Sequence, residues 1–335
     1  MKRLLYLLVL LLALPGLAQA ELAVHYLNVG QGDATLVLCD GEAMLIDGGP
    51  TSASQFIYSY LKQHVDRLDC MVATHPHEDH VGGLAAALNA VPVDVIFSPV
   101  EEWNTSCFEH RVKYAELQGS FIVVPYEGDV FSLGGAEVTI LHCWPEAWST
   151  NDMSICLRID YGSTAFLFTG DAETMSEYMM LDSGMPLQAD VLKVGHHGSA
   201  SSSSPEFIAA VNPSYAVISC GRDNSYGHPH PATLETLEGI RVLRTDELGT
   251  IIIHSDGQTI TFGESGNEPA GEAQIEATDE QQQNEAMYIG NRNSMKFHYP
   301  DCPGVAKTSP KNRIPLSSRE EAIALGYQPC GECKP

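Results

Sequence analysis

The segment Thr74-His75-Pro76-His77-Glu78-Asp79-His80 concentrates more chemistry than any other stretch of the chain. It spells H-x-H-x-D-H, three imidazoles and a carboxylate within six positions, in a sequence of 335 residues with 13 histidines. Imidazole nitrogen and carboxylate oxygen are the ligands that zinc and similar divalent ions prefer. The alternating His75 and His77 can face one ion, and the Asp79-His80 pair can turn toward a second. A polar loop that is His-rich for no chemical reason accounts poorly for that density. Residues 68–73 read as a buried strand and residues 81–88 as a helix, so the ligands are expected on a strand-to-helix turn, with Gly82 and Gly83 just behind them.

The elements that must hold this turn are legible as strands alternating with helices. Residues 23–27, 34–39, 43–46, 69–74, 121–125, 136–142, 154–160, 164–169, 191–194, 215–219 and 250–254 read as strands. Residues 54–65 place Phe56, Ile57, Tyr60 and Leu61 at near-helical spacing, and residues 173–181 are a second helix. Early hairpin-like strands followed by β–α alternation predict two sheets face to face with helices outside, a four-layer αβ/βα sandwich.

Further motifs follow in order: Leu45-Ile46-Asp47-Gly48-Gly49, Phe168-Thr169-Gly170-Asp171, and Val191-Leu192-Lys193-Val194-Gly195-His196-His197-Gly198-Ser199. With H-x-H-x-D-H they resemble the metallo-β-lactamase fold superfamily. Asn28-Val29-Gly30-Gln31-Gly32-Asp33, His196-His197-Gly198-Ser199 and Tyr226-Gly227-His228-Pro229-His230-Pro231 narrow the resemblance to the soluble hydrolase domain of ComEC-type competence proteins, over roughly residues 22–262. The resemblance implies a two-ion centre. His75 and His77 would hold the first ion, Asp79 and His80 the second, and Asp171 would bridge them. His196, directly after a strand and a glycine, is favoured to complete the second ion. His197 then lies beside the open position, where it can bind substrate or transfer a proton; the reverse assignment stays open. Asp79, His197 and His228 are the expected participants in catalysis. Asp47 is expected behind the ligands, and Asp33 either there or capping a turn. His228 and His230 flank prolines on a stiff backbone, as donors to a phosphate or as surface histidines. Many relatives carry a histidine before the strand leading to T-G-D. Here Ser149-Thr150-Asn151-Asp152-Met153-Ser154 stands there, so the first ion is held more weakly or is completed by Asp152 or water. Paired divalent ions bring proton loss from water close to neutral pH and neutralise anionic oxygen, which suits a phosphodiester.

A second metal pattern closes the chain. His298 and Cys302 form H-x3-C, and Cys330 and Cys333 form C-x2-C. One histidine and three cysteines make a closed tetrahedral zinc set, a reasonable staple for a module too small for a large core. The segment resembles the zinc-binding module of the Ada DNA-repair protein, with Ser317-Ser318-Arg319-Glu320-Glu321-Ala322 reading as a capped helix start. That resemblance implies a structural zinc and DNA binding.

Composition sets the frame. Lys2-Arg3, an apolar run and Ala18-Gln19-Ala20 read as a secretion signal over residues 1–20, cleaved after Ala20, and predict a secreted or extracytoplasmic protein without stable membrane insertion. Residues 21–262 are the hydrolase domain, with 9 basic and 32 acidic residues. Residues 263–285, with 7 acids and no aromatic, read as a disordered acidic linker. Residues 286–335 are the zinc module, with 7 basic and 4 acidic residues. An acidic core does not advertise a broad nucleic-acid surface; the basic tail, with Lys296, Lys307, Lys311, Arg313 and Arg319, would supply the DNA contact. Cys39, Cys70, Cys156 and Cys220 read as core residues, whereas Cys107 and Cys143 could pair in an oxidising compartment. The expectation is a metal-dependent phosphodiesterase or nuclease acting on DNA. It would use one or two Zn²⁺ (Mn²⁺ as an alternative), with one further structural Zn²⁺. The alternatives are a phosphodiesterase for cell-wall polymers or phosphocholine esters, a β-lactam or lactone hydrolase, and a non-catalytic DNA-binding protein.

Overall fold

A computed structural model describes residues 21–262, 288–300, 302–316, 319–331 and 333. The signal segment, the linker, and Ser317-Ser318 of the capped helix start lie outside the described residues. The first sheet has eight strands. It starts with the late strands Ile260–Phe262 (β15) and Ile251–Ser255 (β14), followed by β1 (Leu22–Tyr26), β2 (Thr35–Cys39), β3 (Glu42–Ile46), β4 (Leu68–Val72), β5 (Val93–Phe97) and β6 (Phe121–Val123). The second has seven, in the order β13 (Arg241–Arg244), β12 (Tyr215–Ile218), β11 (Val191–Lys193), β10 (Thr164–Phe168), β9 (Cys156–Tyr161), β8 (Ala136–His142) and β7 (Val130–Leu133).

Strand alternation divides the apolar residues between layers. Leu22, Val24 and Tyr26 of β1 point inward with Met44, Val72, Leu157, Phe166 and Phe168, filling the space between the sheets. On the outer face of the first sheet, Ile57 and Leu61 of α1 (Ser54–His64) pack with Leu84 and Leu88 of α3 (Leu84–Ala90) and Phe108 of α4 (Ser106–Gln118). Met180 of α5 (Thr174–Ser183) and Phe207 and Val211 of α6 (Pro205–Val211) cover the second sheet. The four-layer sandwich is therefore the fold. The helix expected over 81–88 is broken: α2 (Glu78–Val81) ends at Gly82 and α3 starts after Gly83. Cys107 and Cys143, which could have paired, are not joined by a disulfide. No helix among the described residues is long and apolar enough to cross a membrane.

The tail folds around its own sheet, ordered β18 (Arg313–Leu316), β16 (Tyr288–Asn291), β17 (Lys296–His298) and β19 (Gln328–Pro329). Phe297, Ile314, Leu316, Leu325 and Tyr327 form its small core, against which Tyr58 of α1 also packs. The Tyr114 hydroxyl on α4 donates to the Ile323 carbonyl at 2.9 Å.

Candidate metal centre

Three loops at one end of the sandwich are laced together by backbone hydrogen bonds. Asp33 N donates to Asp79 O at 3.1 Å, Gly48 N to His80 O at 2.7 Å, Gly49 N to Asp33 O at 2.7 Å and Gly83 N to Gly49 O at 3.0 Å. Glycine is required by this closeness: a Cβ on Gly83 would lie 2.1 Å from the Gly48 carbonyl oxygen. Asp47 adopts a left-handed φ of 57°, a conformation uncommon for non-glycine residues but one that Asp takes more readily than most.

Two donor groups share Asp171. In the first, His75 Nε2 lies 3.0 Å from His77 Nδ1 and 3.7 Å from Asp171 Oδ2. In the second, His80 Nε2 lies 3.2 Å from Asp171 Oδ1, and His197 Nε2 lies 3.5 Å from Asp171 Oδ2 and 3.3 Å from Asp79 Oδ2. Asp33, rather than Asp79, is the carboxylate whose donor atom lies within 4.8 Å of those of His80, Asp171 and His197 alike. Its carboxylate is already engaged by Lys193 Nζ at 2.7 Å and His197 Nδ1 at 3.1 Å, so it positions His197, and Asp79 is the freer ligand. His80 Nε2, Asp171 Oδ1 and His197 Nε2 are buried and have no hydrogen-bond partner. Such orphaned atoms are costly unless something satisfies them, and a divalent cation fits an imidazole–carboxylate set of this kind.

Each ligand is oriented from behind. Asp47 Oδ2 is 2.7 Å from His80 Nδ1, while Thr74 donates to Asp47 through its backbone N–H at 2.8 Å and its hydroxyl at 2.7 Å. The Thr74 and Ser154 hydroxyls lie 3.2 and 3.4 Å from His75 Nδ1, and Asp171 N donates to Ser154 Oγ at 3.0 Å. Fixing the far nitrogen turns the near one toward the ion.

The electrostatics follow from burial and proximity. Burial opposes ionisation of Asp171, but the charges on His80 and His197 hold its carboxyl well below the usual range. Asp79 is likewise held low: burial is outweighed by the close approach of His197 Nε2 and by charge on His80 and His197. Burial and charge on His80 push His75 well down. Burial also opposes charge on His80, yet Asp171 and Asp47 raise it. His228 is lowered to about 4, by burial first and then by charge on His197 and His196, so it is neutral near pH 7.

The predicted residues divide as follows. His75, His77, Asp79, His80 and Asp171 converge. His197 takes the inward place expected for His196. Both have left-handed φ, 48° for His196 and 54° for His197, and the turn points His197 at Asp33 and Asp171. His196 Nε2 stays 3.8 Å from Asp171 Oδ2, with Nδ1 3.0 Å from Ser201 Oγ. Asp152 lies outside both donor groups: its Oδ1 accepts from Glu173 N at 3.0 Å and Ser176 Oγ at 2.7 Å, at the start of α5. His228 stands beside the centre, its ring centroid 5.7 Å from His196 and 6.2 Å from His197, with Nδ1 buried and unpartnered. His230 caps a helix instead, accepting from Ala232 N at 3.2 Å. Lys193, Ser154 and Glu173 carry no motif of their own and escape the sequence reading. A lysine in the otherwise apolar run Val191–Val194 is the one signal that could have exposed Lys193.

In the tail, His298, Cys302, Cys330 and Cys333 bring their donor atoms together, with His298 Nδ1 3.3 Å from Cys302 Sγ. This set fits a zinc site.

Fold and site together define a metal-dependent hydrolase scaffold. Residues 27–222 match the metallo-beta-lactamase superfamily, and the chain belongs to it. It is 31% identical over 266 residues to ComE operon protein 3 of Bacillus subtilis, covering 72% of this chain and 34% of that protein. It is 32% identical over 239 residues to competence protein ComA of Neisseria gonorrhoeae, covering 69% of this chain and 32% of that one. The chain thus spans about a third of the length of these relatives. Among solved structures, the metallo-beta-lactamase fold protein YhfI of Bacillus subtilis superposes with a TM-score of 0.50 at 12% identity, covering 70% of this chain and all of that one.

Proposed function

We propose that this superfamily hydrolase is an extracytoplasmic phosphodiesterase that cleaves DNA, with the tail as a zinc-stapled DNA-binding module. One observation carries the reading: two donor groups share the Asp171 carboxylate, and the second presents three buried, unpartnered atoms to one point. Zn²⁺ is the proposed ion, with Mn²⁺ as the alternative. Bound in pairs, such ions polarise water and neutralise anionic oxygen.

The protein's own groups do the rest. Asp47 and Asp33 fix the tautomers of His80 and His197. Neutral His228, beside the centre, can donate a hydrogen bond to a phosphate oxygen without needing a charge. His196, partly open with Nε2 3.8 Å from Asp171 Oδ2, is the imidazole we assign to pass a proton to the leaving oxygen. The competence names of the relatives support a nucleic-acid substrate over a β-lactam or lactone. The test is purified residues 21–335 with single- and double-stranded DNA and a chromogenic phosphodiester, in Zn²⁺ or Mn²⁺. Metal-dependent cleavage, lost in folded Asp79→Ala and Asp171→Ala, is expected. Full activity in both folded variants, or no phosphodiester cleavage with either metal, refutes the reading.

A further inference from the structure

Two exposed aromatic residues stand at the rim of this centre on different loops. Trp148 is 101% exposed, so both faces of its ring are open. The next residue, Ser149, donates through its hydroxyl to Glu173 at 3.2 Å, as does the Asn151 side-chain amide, also at 3.2 Å. Glu173 in turn lies 3.6 Å from His196 Nδ1. The Trp148 loop is therefore pinned to the wall of the site. On another loop Tyr226 is 70% exposed and stacks on His228 at 5.7 Å with an interplanar angle of 24°. His228 lies in turn nearly parallel to His197, at 29°. Tyr226, His228 and His197 form a column of rings running from the donor groups to the surface.

We propose that Trp148 and Tyr226 are the stacking platforms for bases flanking the scissile phosphodiester, which makes the substrate an unpaired strand. This rests on the phosphodiesterase reading above and names its substrate class. The charge distribution favours a neutral contact here. Residues 21–262 hold only 9 basic against 32 acidic side chains, so phosphate attraction outside the ion centre is scarce. Stacking needs no charge and tolerates any base, because every base has a π-face. In a duplex those faces are covered by neighbouring pairs, whereas a single strand leaves them free.

The experiment compares two single strands of equal length, one with all its bases and one abasic throughout, using metal-loaded residues 21–335. Backbone charge is the same in both, so salt affects them alike. Wild type should show a KM about tenfold lower for the base-bearing strand. Trp148→Ala and Tyr226→Ala should each narrow that ratio severalfold, and Trp148→Phe should restore most of it. The side chains are exposed, so loss of folding is not expected to obscure the result. Equal KM for both strands in wild type, or an unchanged ratio in both alanine variants, overturns the proposal while leaving the phosphodiesterase reading intact. Failure of wild type to cleave either strand with either metal sinks both.

Discussion

Gly83→Ala tests whether the laced loops, rather than the ligands alone, create the centre. The new Cβ would sit 2.1 Å from the Gly48 carbonyl oxygen. Real Cβ atoms essentially never approach closer than 3.0 Å, so the two loops must part by roughly 1 Å. That movement is transmitted directly. Gly48 N donates to His80 O, and Asp47, its neighbour, holds His80 Nδ1. Overpacking of this kind typically costs about 1–3 kcal/mol of stability. A displacement near 1 Å at reacting groups can cost about 100-fold in rate. Gly48→Ala provides a graded comparison. Its Cβ would meet the flexible Leu84 Cδ2 at 2.8 Å and Leu84 N at 2.9 Å, so a smaller shift suffices. The assay is thermal melting, metal content by mass spectrometry, and kcat/KM on a chromogenic phosphodiester. Gly83→Ala should lose more than Gly48→Ala on all three. A folded Gly83→Ala with wild-type metal content and kcat/KM within about twofold would refute the reasoning. If Gly83→Ala does not fold, a Gly48→Ala variant unaltered in all three measurements refutes it equally.

Three further outcomes are expected. Cys302→Ala, or chelation, should melt the tail while far-ultraviolet dichroism of the sandwich persists, because Cys302 and Cys330 lie in the tail's small inner cluster; a tail unaffected by chelator would contradict the zinc assignment. Deleting residues 286–335 should raise KM for DNA at low salt and flatten its salt dependence, since 7 basic residues leave with the tail; an unchanged salt slope would remove DNA capture from its role. Burial, then charge on His64 and His254, holds His25 at about 4 against an ordinary 6.5. The folded state therefore binds that proton later than the unfolded chain, and stability present above pH 6.5 falls by about 1.4 kcal/mol per unit toward pH 4. Denaturant melts of His25→Gln should show a shallower loss, and an identical slope would count against the assignment.

Much of the centre is legible in the sequence because its ligands are local. H-x-H-x-D-H needs one turn, and Thr169-Gly170-Asp171 needs only a strand end. The choice between His196 and His197 is not local. Both sit in left-handed backbone, and the decision is made by Asp33, itself held by Lys193, which reaches His197 only when the two sheets pack together. Asp152 shows the converse. Its type suits a ligand, but its carboxylate caps the backbone at α5, which spacing alone does not reveal. Helix α4 escapes a periodicity reading because its buried face is Phe108, Arg111 and Ala115, a face with a fully buried arginine at its centre.

The acidity of the core is awkward for a polyanionic substrate, and location matters here more than the total. At the centre the carboxylates of Asp33, Asp47, Asp79 and Asp171 each face an imidazole, and Asp33 also faces Lys193. Two divalent cations would match those four negative charges, and the Lys193 ammonium would leave the loaded centre slightly positive. Of the remaining acids, Glu173 stands at the wall of the site, 3.6 Å from His196 Nδ1, and those farther off are screened by a Debye length of about 8 Å at physiological salt. A phosphodiester therefore meets attraction only where the ions sit and repulsion over the surrounding face. Affinity beyond the scissile phosphate must come from groups indifferent to that repulsion, such as exposed aromatic rings, or from cations carried elsewhere, as in the tail. Under the proposed function, that division of labour would account for a strongly acidic hydrolase domain joined to a small basic module.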